Sequence, residues 1–164
     1  MDAGRRADPA PLGRTSVERA SDREIVITRT VDAPARLVFE AFTRPELFTQ
    51  WWVPKSLGLV LLSCDLDVRV GGRYRLTFRH GDSTMAFYGT YTEVVPHARL
   101  AWTNEESGAD GAVTTVTFTE SSGRTRVVVR DRYASKEAAN AGMASGAYDG
   151  MSETFDQLDA LLVR

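Results

Sequence analysis

Gly71-Gly72-Arg73-Tyr74-Arg75-Leu76-Thr77-Phe78-Arg79-His80-Gly81-Asp82 alternates strictly between two turn signals. Successive side chains of a strand point to opposite faces, so Arg73, Arg75, Thr77 and Arg79 belong to a wet face, and Tyr74, Leu76, Phe78 and His80 to a covered one. A sheet with one face to bury needs another layer on that face. The same pattern extends outward in both directions. Strands are expected over Leu59 to Arg69, Met85 to Val95, Arg99 to Asn104, Val113 to Thr119 and Thr125 to Tyr133, separated by turns rich in Gly, Pro, Ser and Asp. On the last of these, Arg126, Arg130 and Arg132 face water while Val127, Val129 and Asp131 face inward. An earlier strand, Glu24 to Asp32, carries Ile25 and Ile27 on one face and Val26 and Thr28 on the other. Six consecutive hairpin-connected strands and one separate strand argue an antiparallel sheet of seven.

Helices are expected on either side of the meander. Pro34 opens one in which Leu37, Val38, Ala41 and Phe42 fall at helical spacing; Pro45 stops it and starts a second, short one carrying Leu47, Phe48, Trp51 and Trp52. From about Ser135 the chain turns helical again, and Tyr148, Met151, Phe155, Leu158 and Leu162 recur at steps of three and four. The fold class is therefore α+β: a curved antiparallel sheet, in the order β-α-α-β6-α, wrapped around a long C-terminal helix. Within that helix Ala138 to Ala147 is low in bulk, with Gly142, Gly146 and Gly150 four residues apart. Two readings stand open for it, a flexible gate over a cavity or a loop before a later helix start. Residues 1–23 lack a periodic apolar pattern and read as a disordered tail, which leaves 24–164 as one folded domain.

The 164 residues, 43% hydrophobic and 26% charged, fit one compact domain. A net charge of −2 supplies no field for a phosphate backbone, so nucleic acid is not an expected partner. Cys64, the one cysteine, excludes an internal disulfide and suits a reducing compartment, the cytoplasm. No secretory signal is expected, and the most apolar run, Leu57 to Leu62, is far short of the roughly 20 residues that span a bilayer. His80, His97 and Cys64 form no HExxH or CxxC spacing, and neither a Walker motif, a dinucleotide fingerprint nor a GxSxG elbow occurs. No metal, cofactor or catalytic residue is assigned on these grounds.

Four stretches carry a resemblance: Ile27-Thr28-Arg29-Thr30-Val31-Asp32-Ala33-Pro34 with Val38-Phe39; Trp51-Trp52 with Pro54-Lys55; Asp67 to Tyr74; and Gly89-Thr90-Tyr91-Thr92-Glu93-Val94-Val95-Pro96. On these the chain from Glu24 to Leu162 resembles the START-like, helix-grip superfamily, in the branch similar to the C-terminal domain of the activator of the heat-shock-protein-90 ATPase. The resemblance implies binding of a small hydrophobic ligand between the C-terminal helix and the sheet. Two alternatives stay open beside it: a co-chaperone-like protein-interaction domain, and a cyclase- or hydrolase-type enzyme using polar groups of the cavity. A small apolar molecule is the expected partner, with a protein partner or a homodimer also open. The family usually has Gly-Trp where this chain has Gly150-Met151, which implies a smaller side chain at the cavity wall.

By parity and helix face, the bulky groups expected to line that cavity are Trp51 or Trp52, Phe78, Tyr91, Trp102 and Met151. Adjacent on a short helix, Trp51 and Trp52 cannot point the same way, so one packs in the core while the other meets the cavity. His80, Asn104 and Asp131 are the inward polar candidates, each requiring a partner if buried.

Overall fold

Pro34 holds extended backbone and the chain turns helical directly after it, because proline is tolerated where a helix has no hydrogen bond to lose. The structure, a computed structural model, describes residues 14–162. Eight strands are present: β1 (Thr15–Arg19), β2 (Glu24–Val31), β3 (Val60–Leu66), β4 (Arg73–His80), β5 (Ser83–Val95), β6 (Arg99–Thr103), β7 (Val113–Ser121) and β8 (Arg124–Arg132). They form one antiparallel sheet in the order β1-β2-β8-β7-β6-β5-β4-β3. Helices α1 (Ala35–Thr43) and α2 (Pro45–Phe48) follow β2; α3 (Lys136–Ala144) and α4 (Met151–Leu162) follow β8. This is the α+β helix-grip arrangement, an open curved antiparallel sheet with a C-terminal helix.

Two features depart from the sequence reading. The tail assigned to residues 1–23 contains β1, which pairs with β2 from Thr15↔Arg29 to Arg19↔Ile25; residues 1–13 lie outside the described ones. Pairing along a sheet edge needs backbone groups rather than an apolar face, so β1 is almost wholly exposed and left no hydrophobic signal. The C-terminal segment is two helices rather than one. Ser135 caps α3 by accepting from the Ala138 amide at 3.0 Å, and the chain breaks at Gly146, where φ is +83°. Of the two readings open for Ala138 to Ala147, the loop before a later helix start fails over residues 138–144, which belong to α3; only the turn through Gly146 precedes α4.

Packing concentrates under α1 and α4. The Trp51 ring lies 4.8 Å from Phe42 and 6.1 Å from Phe155, Phe42 lies 5.2 Å from Phe118, and the Trp51 indole donates to the Ala41 carbonyl at 2.9 Å. Arg29 shares the covered face of β2 with Ile25 and Ile27 and is 1% exposed. Its guanidinium donates to Asp156 at 2.7 Å and to Asp159, both on α4, and to Thr15 on β1 at 2.7 Å. One buried cation therefore ties the edge strand, its neighbour and the last helix together, a role that demands paired charges. Burial raises the Asp159 pKa even against the opposing pull of Arg29.

Candidate functional site

A cavity of about 490 Å³ lies between the sheet and α3 and reaches the break before α4. A smaller space of about 130 Å³ adjoins it and shares Trp52, Phe87, Trp102 and Asn104 with it. Local sequence explains the opening. Toward the sheet α3 presents Ala138 and Ala141, which are too small to fill the space that a Leu or Phe would occupy. Gly142 is there for another reason, close approach: a Cβ would stand 2.4 Å from the Tyr133 hydroxyl.

Polar groups collect along one wall. Asp131, the last inward residue of β8, accepts from Thr114 Oγ1 at 2.6 Å and from the Tyr148 hydroxyl at 2.7 Å. Tyr133 lies 2.7 Å from Tyr148, oxygen to oxygen. Asn104 Nδ2 donates to the Ala112 carbonyl at 2.7 Å and to Thr114 Oγ1 at 3.0 Å. A continuous chain of hydrogen bonds so runs from the end of β6 through β7 and β8 to the segment between α3 and α4. Burial raises the pKa of Asp131, while the hydroxyls of Thr114 and Tyr148 pull it the other way. Tyr148 is pushed up by burial first and then by the neighbouring carboxylate, so its hydroxyl keeps its proton.

The loop closing this end is fixed by charge. Glu105 accepts from Thr103 at 2.7 Å, from Thr90 at 2.8 Å and, through its other oxygen, from Arg73 at 3.1 Å; these bonds, Thr103 first, hold its carboxyl below the usual range. Its neighbour Glu106 accepts from the Tyr88 amide at 2.9 Å and lines the large cavity.

The residues expected from sequence separate into four groups. Trp52, Trp102, Asn104, Asp131 and Met151 all line the larger cavity, and Tyr91 lines the smaller one, where burial pushes its phenol pKa up. Trp51 does not belong to either: it is 1% exposed and its indole N–H is engaged by Ala41, so it is core and only Trp52 meets the cavity. Phe78 lines a separate groove with Phe48, Leu61 and the far side of Trp52. His80 is exposed, contrary to its parity, because β4 has run past the covering helices into the turn that pairs it with Ser83. Sequence reasoning missed Thr114, Tyr133 and Tyr148 as polar wall. Thr114 has the inward parity of Val116 and Phe118, and Tyr133 continues that of Val127, Val129 and Asp131, so both carried a usable signal. Tyr148 lies on the expected apolar stripe, yet its hydroxyl is bonded into the polar wall at Asp131 and Tyr133.

Asp67 and Arg69 form the surface ion pair their spacing suggests, at 3.0 Å. The Cys64 thiol is half-buried, its pKa pushed up to about 11 by burial, which makes it unreactive near neutrality. Among the described residues no group of three or more His, Cys, Asp or Glu is placed to hold a metal ion, and no helix is long and apolar enough to cross a membrane.

Residues 32–163 match the family model described as "Activator of Hsp90 ATPase homolog 1-like protein". Among solved structures, a Rhodobacter sphaeroides protein is 22% identical over 91% of this chain and 97% of its own, with a TM-score of 0.83. A Mycobacterium smegmatis protein is 26% identical over 92% and 98%, with a TM-score of 0.78. A Chromobacterium violaceum protein is 27% identical over 88% and 99%, with a TM-score of 0.74. No curated protein matches.

Proposed function

From the membership of this chain in the activator of Hsp90 ATPase homolog 1-like family, whose proteins are hydrophobic-ligand-binding or co-chaperone-like, we propose that it binds a small, predominantly apolar molecule in the cavity beside α3. One observation carries the reading. A space of about 490 Å³, within the usual range for ligand pockets, is walled by Trp52, Phe87, Trp102 and Met151, with a hydrogen-bonded polar cluster around Asp131. Aromatic and thioether surface supplies affinity without direction, and the Asp131 cluster supplies direction. The enzyme alternative loses its imidazole with His80 on the surface. A reducing compartment, the cytoplasm, suits the single unpaired thiol of Cys64.

The uncharged fluorophore N-phenyl-1-naphthylamine tests this. The expected result is saturable, one-to-one enhancement of its emission that a Met151→Trp substitution diminishes. Emission that rises linearly, without saturation, overturns the proposal.

A further inference from the structure

Proton bookkeeping along the polar wall shows what the cavity asks of a ligand. The Ala112 carbonyl can only accept, so the Asn104 atom 2.7 Å from it is the amide nitrogen, and the second hydrogen of that nitrogen goes to Thr114 Oγ1. Thr114 then donates its one hydrogen to Asp131. Tyr148 also donates its only hydrogen to Asp131, so in the pair with Tyr133 it must accept, and the Tyr133 hydrogen is engaged as well. Tyr74 has one hydrogen, which lies on the Thr103 carbonyl at 2.7 Å, leaving Asn104 Oδ1 only a long 3.4 Å approach. Every hydrogen in this cluster is thereby taken, and what remains are lone pairs, on Asp131, on Asn104 Oδ1 and on Tyr133.

Charge points the same way. The residues lining the two adjoining spaces include two acids, Asp131 and Glu106, and no Lys, Arg or His. The carboxyl of Asp131 is desolvated and its hydrogen-bond partners are all neutral hydroxyls. With no protein cation against it this carboxyl holds its proton more tightly than in water, and a cation carried by a ligand would favour its ionised form. The aromatic surface of Trp52 and Trp102 beside it favours a cation over an anion.

We infer that the ligand is an apolar organic amine, bound as its ammonium, with N–H groups donated to the acceptors of Asp131 and Asn104 and its hydrocarbon part against Trp52, Trp102 and Met151. This rests on the cavity being a ligand site, and the experiment separates the two. Three probes of one shape, 1-naphthylmethylamine, 1-naphthylmethanol and 1-naphthylacetate, are titrated calorimetrically into the full chain near neutral pH. The amine is expected to bind about tenfold or more tightly than the acetate, with the alcohol between them. Asp131→Asn should weaken the amine about tenfold and leave the alcohol within about twofold. Acetate binding as tightly as the amine overturns the inference and leaves the cavity reading standing; no binding of any of the three overturns both. Glu106→Gln, on the 105–110 loop and half-buried, gives a second variant should Asp131→Asn not fold. A weakening of the amine alone is expected there too, and equal weakening of amine and acetate counts against the inference.

Discussion

Under α1 and α4 the covered face of the sheet is filled ring against ring, while under α3 the same face stands open. At the filled end Phe42, Trp51, Phe118 and Phe155 interlock, and the one indole N–H among them is matched to a carbonyl. At the open end Ala138 and Ala141 line a cavity whose wall also includes Asp131 and Trp102. The two ends use the same alternation of side chains on the same strands; β8 gives Val127 to the core and Asp131 to the cavity wall. What differs is the size of the residues on the helix opposite. Close packing at one end stabilises the fold sufficiently for the other to forgo burial and leave a cavity.

The sharpest way to break that contrast is to empty the filled end. Phe155→Ala should cost about 3–5 kcal/mol, because the neighbouring rings cannot collapse into the space. In a denaturant titration, a loss below about 1 kcal/mol would mean that α4 is not the stabilising helix. Filling the open end is the converse test. Met151→Trp should shift the melting temperature by no more than about 4 °C, the equivalent of roughly 1 kcal/mol at this chain length, and should lower the affinity of N-phenyl-1-naphthylamine about tenfold. Unfolding of that variant would place Met151 in tight core. The smallest effect is in the pH dependence. The folded state raises the Asp131 pKa above its ordinary 3.8, so it holds the proton more tightly than the unfolded chain does. Its contribution to stability is therefore present below pH 3.8 and declines as pH rises through the raised value. Asp131→Asn should remove this decline from a series of denaturant titrations across the acid range; superimposable pH profiles for the two proteins would show that the carboxyl is solvated.

Parity made most of the sheet legible, including β4 from Arg73 to Arg79 and the inward setting of Asp131. The same rule misplaced His80, because alternation says which face a side chain takes but not whether anything covers that face at the strand's end. β1 was illegible for a different reason: it is held by backbone pairing and by Arg29 reaching Thr15, and neither leaves a periodic mark. The position of Asn104, Trp102 and Met151 on the cavity wall was legible from local pattern. Tyr148 was hidden because a tyrosine on an apolar stripe looks the same whether its hydroxyl meets water or a carboxylate.

By itself the sequence determined the α+β class, the antiparallel meander, the buried face of β4 and β8 and the apolar stripe that carries Phe155 and Leu158, all of which follow from periods of two and of three to four residues that each segment imposes on itself. Only the tertiary structure decided that Trp51 is core while Trp52 meets the cavity, that the last helix breaks at Gly146, and that Asp131, Thr114, Tyr133 and Tyr148 become one hydrogen-bonded wall. Those outcomes depend on which residues of distant segments arrive opposite one another and how much volume they bring, and no local period encodes that.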